Sequence, residues 1–430
     1  MNIVVGVIIG FLILMALVVV HELGHFIAAR RNGVTVEEFG IGFPPRAIAW
    51  VKNPEYEKWK KDKSGEKPKK WLRFPREDWD KKQKTLIFSL NYLPIGGFCA
   101  MKGESDSDTT PHSFGSASLW AKTKILFAGV TMNWLAAFII LTGLAITGMP
   151  EFMDNQFGIT PTAKTTPAHI SIKNVVENSP AEKAGLTSGE YIVWASSEKE
   201  CLSDVCTPIK TTSDLTIFNN KHAGQTVYYG VAKDIHAEPD STKENVRLVE
   251  ATLNPTDAEY LLGITMEQDG MVRYIFPWYQ APVVAAVNTV QLTGETYRGL
   301  GNMVGSFFSG VTKQFSGDDA TRSEGQKEIK AAGDSVSGPV GIIGILFPSS
   351  VESGPTTLAF LAAIISISLA CMNVLPIPAL DGGRFFLIML YRLRGKKLEK
   401  ATEEKIVSRA FIFLLILIVL VTILDITRFF

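Results

Sequence analysis

The sequence predicts a polytopic α-helical membrane protein with four transmembrane helices, a membrane-associated β-element and an α+β domain outside the membrane. Three observations support this fold class. The 430-residue chain contains four apolar runs of the length that spans a bilayer. Its basic residues are concentrated in two of the connecting segments, and a third connecting segment has the mixed strand and helix pattern of a folded domain. The formal net charge is zero, so the chain has no overall attraction to nucleic acid.

The four spans are predicted from length and apolarity. They are residues 1–30, 122–149, 357–383 and 407–428. We do not expect the first span to be a cleavable signal peptide. A signal peptide has its basic residues before the apolar run, whereas Arg30 and Arg31 follow this one.

The distribution of Lys and Arg predicts the orientation. There are 19 basic residues from Arg30 to Lys124 and 6 from Tyr391 to Ile406, but only 15 in the much longer stretch from Pro150 to Pro355. Because short cytoplasmic loops are enriched in positive charge, residues 31–121 and 391–406 are expected in the cytoplasm. Both termini and the long middle segment then lie outside it.

The cytoplasmic-side loop, residues 31–121, is expected to contain membrane-associated strands. Residues 34–50 have β-type residues between Gly and Pro breaks, and residues 85–104 are extended in character, interrupted by Gly96 and Gly97. The Lys- and Trp-rich stretch between them could contact nucleic acid. We prefer an interfacial role in which Trp and Lys meet lipid headgroups, and a solvated loop is an equally good interpretation.

The outer segment contains one recognisable module. Ser179 is suited to cap a short helix, Pro180 to its first position and Gly185 to its left-handed end. Strands are predicted on both sides of this helix. The arrangement resembles a PDZ domain of the bacterial, circularly permuted kind over residues 160–268.

Two further features of the outer segment carry predictions. Gly263 and Ile264 belong to a YLLGI segment that resembles the loop by which PDZ domains bind a peptide C-terminus. Residues 269–356 are expected to form an amphipathic helix on the outer membrane face, followed by a polar linker. Cys201 and Cys206 are five residues apart, and a disulfide between them is possible in an oxidising compartment.

The chemistry begins at the end of the first span, where His21, Glu22 and His25 form an HExxH motif. Residues four apart share one face of a helix, and this motif supplies two zinc ligands and a general base. The alternative is a pair of interfacial histidines beside a glutamate that reaches toward water. We favour the metal, because ionisable groups inside a span cost about 2.5 to 3.5 kcal/mol each and a divalent cation offsets that cost.

A catalytic zinc ion needs a third protein ligand, and the third span offers Asp381. Pro376 and Pro378 are expected to break the helix shortly before this residue. The predicted orientation then brings Asp381 to the same end of the membrane as the two histidines. The alternative is an ordinary carboxylate at a helix end, because the two glycines that follow also predict a turn.

Taken together, HELGH, LPIGGFCAMKGE, the single PDZ-like module, SGPVGI and NxxPxPxxDGG resemble the site-2 protease family of intramembrane metalloproteases. The motifs occur in the order of that family and cover nearly the whole chain. Within the family, the resemblance is strongest to the regulator-of-sigma-E proteases with one PDZ domain. The chain differs in the second span, where Val130 replaces a proline of the family pattern while Asn133 is retained.

The resemblance implies that His21, His25 and Asp381 bind Zn²⁺ and that Glu22 activates water. It also implies that Asn373 holds substrate or the developing oxyanion. The element around Gly96 and Gly97 would pair with substrate. The implied substrates are single-span membrane proteins of the bacterial inner membrane, such as anti-sigma factors or signal-peptide remnants.

Two other function classes compete with this interpretation. A metal or ion transporter would explain ionisable groups in the spans, but it predicts inverted repeats, which the spans lack. A PDZ-bearing scaffold that binds peptides without cutting them leaves the HELGH motif and the broken third span unexplained. Zinc analysis of the purified chain separates both classes from a protease.

Overall fold

The computed structural model describes residues 2–429 except 64, 75–85, 152–155, 157–162, 167–168, 200–205, 210–211, 234–245, 257, 259, 270–272, 335–337 and 397. The chain divides into two units, which are described separately. The first combines Met1–Leu144 with Ala281–Phe430, and the second is Ala145–Gln280.

The secondary structure alternates long helices with groups of short strands. The helices are α1 (Asn2–Arg31), α2 (Pro54–Asp62), α3 (Leu119–Thr147), α4 (Pro180–Lys183), α5 (Thr212–Lys221), α6 (Ala281–Gln314), α7 (Asp319–Asp334), α8 (Pro339–Gly341), a π-helical turn (Ile342–Leu346), α9 (Phe347–Glu352), α10 (Pro355–Val374), α11 (Asp381–Leu393) and α12 (Lys400–Phe429). The strands are β1 (Val36–Lys52), β2 (Trp71–Phe74), β3 (Ile87–Met101), β4 (Met149–Pro150), β5 (Lys164–Thr166), β6 (His169–Val175), β7 (Tyr191–Ser196), β8 (Thr207–Pro208), β9 (Thr226–Ala232), β10 (Val246–Thr252), β11 (Ile264–Asp269) and β12 (Arg273–Ile275).

Four of the described helices are long and apolar enough to cross a membrane. They are Ile3–Arg31, Leu119–Thr147, Pro355–Val374 and Lys400–Thr427. A helix that spans lipid satisfies its own backbone hydrogen bonds, and it can expose apolar side chains on every side. The many exposed Leu, Ile, Val and Phe side chains of α12 follow this pattern. The predicted class of polytopic helical membrane protein is therefore confirmed.

The third span breaks where its prolines predict. α10 ends at Val374, and α11 begins at Asp381 after a tight turn that contains Pro376 and Pro378. Both glycines of the DGG sequence permit close packing: a methyl group on Gly382 would overlap the carbonyl group of Val374 at the end of α10, and one on Gly383 would overlap the carbonyl group of Ile377 in the turn. Only glycine leaves room for the backbone of α11 to approach so closely, and this approach directs Asp381 back toward the helices.

The loop after α1 forms a three-stranded antiparallel sheet in the order β2-β1-β3. Both β1 and β3 are long and bent, so that residues 38–41 pair with residues 87–90 on one side and with residues 97–100 on the other. Among the described strands, β1 alone pairs with residues 97–101, which leaves the opposite side of this segment without a neighbouring strand. This part of β3 is therefore an edge of the sheet, and it contacts α1.

The second unit is an α+β domain. Its main sheet has the order β10-β9-β7-β6-β11, with β8 beside β7, and a smaller sheet has the order β4-β12-β5. The short helix α4 has the predicted ends: Ser179 Oγ accepts a hydrogen bond from the backbone N–H of Glu182 at 3.2 Å, and Gly185 has a φ of +75°. Cys206 is disulfide-bonded, and Cys201 lies outside the described residues.

The amphipathic helix predicted after this domain is α6, but the polar segment that follows it is a helix, α7, where we predicted a linker. α7 packs along α6 because Gly310 and Gly325 allow close backbone contact. Lys313 Nζ lies 2.7 Å from Glu328 Oε1 and 3.3 Å from Glu324 Oε2, which joins the two helices through their charges. The polar composition predicted a linker here, and packing against α6 stabilises a helix instead.

The last span is attached to the SGPVGI segment through Asp425. This carboxylate is buried and accepts hydrogen bonds from the backbone N–H groups of Gly338, at 3.2 Å, and Gly341, at 2.8 Å. It thereby satisfies N–H groups at the start of α8 that have no partner within the helix.

Candidate active site

The structure brings His21, His25 and Asp381 together. Both histidines lie on one face of α1, and Asp381 is the first residue of α11. Asp381 Oδ2 lies 3.0 Å from His21 Nε2 and 3.3 Å from His25 Nε2, and the two Nε2 atoms are 3.1 Å apart. Both histidines are buried, so the three ligand atoms converge on one small interior volume.

These distances suit a zinc ion. With metal–ligand bonds of 2.0–2.2 Å and tetrahedral angles, neighbouring ligand atoms lie roughly 3.3 Å apart. The three observed separations, 3.0, 3.1 and 3.3 Å, are close to this value. Two imidazoles and one carboxylate also form a donor set that zinc prefers, with a fourth position left for water or substrate. The residues present therefore fit the group that the motif implies.

Helix α3 provides the surface against which both imidazoles pack. A Cβ atom on Gly129 would lie 2.6 Å from His21 Nε2 and 2.6 Å from His25 Nε2, so the absence of a side chain makes the space for the two rings. The backbone carbonyl oxygen of Ile125 lies 2.8 Å from Nδ1 of His25. Because Nδ1–H donates to this oxygen, the Nε2 lone pair of His25 is left to face the ligand cluster.

Glu22 lies between the triad and the edge of the sheet. Its carboxylate is close enough to His21, His25 and Asp381 to interact with their charges, and it reaches the backbone N–H of Cys99 in β3. The position of a Cβ on Gly97 is 3.7 Å from Glu22 Cγ. A carboxylate in this position can exchange a proton with a molecule held between the triad and β3.

The other predicted site residues are distributed differently. Asn373 lies in the last turn of α10, where its Nδ2 donates to the carbonyl oxygen of Leu369 at 3.0 Å. Within the described residues, no hydrogen bond joins Asn373 to the triad. Gly96, with a φ of +78°, and Gly97 lie on the β3 edge beside α1. Gly263 and Ile264 lie in the second unit, where Gly263 has a φ of +79° and Ile264 begins β11 at the edge of the main sheet.

A cavity of about 630 Å³ opens beside Asp381. Its wall includes Glu104, Arg384 and the first turns of α12, where Glu403 is buried. Glu403 accepts hydrogen bonds from Ser105 Oγ at 3.1 Å and from Arg384 Nε at 3.3 Å. Ion pairing and hydrogen bonds thus hold the start of α12 against the cavity, which Asp381 also lines.

Comparison with known proteins decides what this site belongs to. The sequence pattern of the family described as Peptidase family M50 matches residues 9–57 and 72–418, which include His21, Glu22, His25 and Asp381. The chain belongs to peptidase family M50. The predicted site-2 protease family and the predicted enzyme class, a metallopeptidase, are therefore confirmed.

This M50 peptidase also resembles individual proteases along its whole length. It is 26% identical over 480 residues to the Regulator of sigma-W protease RasP of Bacillus subtilis, with 99% of each chain covered. It is 24% identical over 495 residues to Zinc metalloprotease RasP of Shouchella clausii, with 96% of this chain and 97% of that one covered. A protein of Clostridium perfringens whose name also contains the words zinc metalloprotease is 27% identical over 423 residues, with 98% of each chain covered.

Sequence reasoning missed several residues of the M50 peptidase that surround the ligands. Ile125 acts through a backbone carbonyl group, which has no signature in the side-chain sequence. Gly129 and Asn133 belong to the AGVTMN segment of the second span, where the family resemblance implied no role for either residue. Arg384 directly follows the DGG sequence. Its position three residues after the ligand Asp381 was the available signal that its side chain lies near the site.

Proposed function

We propose that this M50 peptidase is a zinc-dependent intramembrane endopeptidase that hydrolyses peptide bonds within transmembrane segments of single-span membrane proteins. Its substrates would be anti-sigma factors or signal-peptide remnants in the bacterial cytoplasmic membrane. The observation that carries the proposal is the buried convergence of His21, His25 and Asp381, with Glu22 beside them, on helices apolar enough to span a bilayer. The names of the RasP relatives, which refer to a sigma factor and to zinc, support the substrate class and the metal.

The charges in this proposed site balance. Asp381 and Glu22 carry two negative charges when ionised, and one Zn²⁺ ion neutralises them while the histidines stay neutral. Charged groups near the middle of a span cost about 2.5 to 3.5 kcal/mol each when they are unpaired. The balance explains how four ionisable groups can be accommodated beside apolar helices.

The proposed chemistry divides among the metal and three residues. A zinc ion held by His21, His25 and Asp381 would act as a Lewis acid and would bring the pKa of a water molecule near neutrality. Glu22 accepts a proton from the attacking water and gives it to the leaving amine, which its position between the triad and β3 allows. Asn373 stabilises the developing oxyanion or holds substrate, and to do so its amide must leave the carbonyl group of Leu369.

The proposed role of β3 follows from the nature of the substrate. The peptide bonds of a transmembrane helix are shielded by its own hydrogen bonds, so cleavage requires local unwinding. An unwound segment can add as a further strand to the open edge of β3 at Gly96 and Gly97. The position of Gly97 supports this role. A Cβ atom on Gly97 would lie 3.7 Å from Cγ of Glu22, so a strand added to this edge would pass beside the proposed base.

The second unit is proposed to be a PDZ-like domain on the extracytoplasmic side. Cys206 in this unit is disulfide-bonded, whereas Cys99 and Cys371 in the first unit are free thiols. This difference favours an oxidising compartment for the second unit. Gly263 and Ile264 would bind a new peptide C-terminus beside the edge strand β11. The alternative role for the domain is to exclude substrates with bulky outer parts.

The proposal is tested by two substitutions at the site. Glu22→Gln should retain one zinc ion per chain but lose cleavage of single-span substrates, by about 10²- to 10⁴-fold. Asp381→Asn should lower the zinc content of the purified chain. Continued cutting by Glu22→Gln would remove Glu22 from the role of base, and unchanged zinc content in Asp381→Asn would mean that the third ligand is elsewhere. Tagged single-span candidates compared in cells with wild-type enzyme and Glu22→Gln would identify substrates.

A further inference from the structure

We propose that Asn133 is the positioning residue for the ligand His21, through a hydrogen bond between its amide oxygen and Nδ1–H of that imidazole. The inference rests on the proposed zinc site and concerns how the protein prepares it. Asn133 lies on α3 and is 1% exposed. Its amide is 3.2 Å from Nδ1 of His21, the ring atom opposite to the one that faces Asp381.

The contacts to both histidine ligands come from one row of residues on α3. Ile125, Gly129 and Asn133 are four residues apart and form one row on the helix surface. Ile125 contacts His25, Gly129 contacts both rings, and Asn133 contacts His21. The hydrogen-bonding partners of the two ligands therefore lie on one row of α3, eight residues apart, with Gly129 midway between them.

The chemistry of the ligand decides which amide atom must face the ring. A histidine that binds metal through Nε2 carries its proton on Nδ1, so Nδ1–H is a donor and needs an acceptor. Oδ1 of Asn133 is buried and has no hydrogen-bond partner within the described residues. A half-turn of the amide about its Cβ–Cγ bond exchanges Oδ1 and Nδ2, and this places an acceptor on the Nδ1 proton.

The backbone of Asn133 is also fixed. Ser366 on α10 is fully buried, and its Oγ donates to the carbonyl oxygen of Asn133 at 2.8 Å. One residue thus joins α1, which carries two ligands, to α10, which leads to the third. A buried residue whose backbone is bound by Ser366 and whose amide meets His21 can keep that imidazole at a fixed angle, which a flexible surface asparagine could not do.

The test compares Asn133 with a second asparagine that is equally buried. Asn288 on α6 is also 1% exposed, and its Oδ1 also has no hydrogen-bond partner within the described residues, while its Nδ2 donates to its own helix. Asn133→Leu, which keeps the branched shape and the number of heavy atoms but cannot accept a hydrogen bond, should weaken Zn²⁺ affinity by about 10- to 100-fold. Asn288→Leu should leave it unchanged. Affinity is measured on purified protein by competition with a chelator, so cleavage activity does not enter.

Asn133→Asp separates positioning from packing. A carboxylate accepts the Nδ1–H hydrogen bond as well as an amide does, so this variant should bind zinc within about threefold of the wild type. A role in packing alone predicts the reverse order, in which Leu is tolerated and a buried carboxylate is not. Zinc affinity of Asn133→Leu within about threefold of wild type, or equal weakening by Leu and Asp, would overturn the inference.

A measurement on the wild type keeps the inference testable if a variant does not fold. In zinc-loaded protein labelled with ¹⁵N-histidine, His21 and His25 should each show a hydrogen-bonded Nδ1–H resonance. A spectrum in which His21 lacks this resonance would overturn the role of Asn133. Failure of the zinc site itself is recognised separately, because the wild-type chain would then bind no zinc.

Discussion

The substitution Gly129→Ala tests how closely α3 packs against the ligands. The added Cβ would lie 2.6 Å from Nε2 of both His21 and His25, whereas nonbonded heavy atoms pack at about 3.5 Å. One or both rings must therefore move by about 1 Å. Metal sites tolerate deviations of about 0.2 Å in ligand distance, so the displacement is several times too large. We expect Zn²⁺ affinity to fall at least about 100-fold, which corresponds to about 2.8 kcal/mol.

Gly143→Ala is the matched control on the same helix, because a Cβ at that position meets nothing within 4 Å. Alanine is the better helix former by about 0.5–1 kcal/mol, so this variant should be as stable as the wild type or more stable, with unchanged zinc affinity. The assay is zinc content and chelator competition on both purified variants, with thermal unfolding as the measure of folding. A folded Gly129→Ala protein that binds zinc like Gly143→Ala would refute the reasoning.

Three further substitutions test the surrounding structure. Asp425→Ala should lower the free energy of unfolding in detergent by about 1–3 kcal/mol, because two buried N–H groups at the start of α8 lose their acceptor; a change below about 0.5 kcal/mol would contradict this role. Gly383→Ala should reduce zinc content, since the methyl group forces the turn before Asp381 apart, and zinc content equal to the wild type would show that the turn can relax. Ser179→Ala should destabilise the second unit by about 1 kcal/mol, because the start of α4 loses its side-chain cap, and zinc affinity should not change. A loss of zinc would contradict the expectation that this cap and the metal site are independent.

The parts of this fold that sequence predicted are those governed by strong local rules. Apolar length predicted the four spans, and proline at residues 376 and 378 predicted the break that separates α10 from α11. The capping residues of α4 were predicted because Ser and Gly have distinct roles at helix ends. Each of these rules acts within a few residues, and a single sequence is enough to apply it.

The parts that sequence did not predict depend on contacts between distant segments. α7 is polar enough to resemble a linker, and its helix is stabilised by α6 through Lys313 and its acidic partners. The carboxylate of Asp425 is matched to backbone groups 84 and 87 residues away. Asn133 was visible in the sequence, but only the pairing of α1 with α3 shows which side chain it meets.

The central claim is that two imidazoles from α1 and one carboxylate from α11 bind a zinc ion among apolar helices. X-ray absorption at the zinc edge of the purified wild-type chain tests it most directly. Two imidazole nitrogens and oxygen donors, all at about 2.0–2.2 Å, are the predicted result. A sulfur ligand at about 2.3 Å, which the nearby free thiol of Cys99 could supply, or a chain that carries no zinc, would contradict the account.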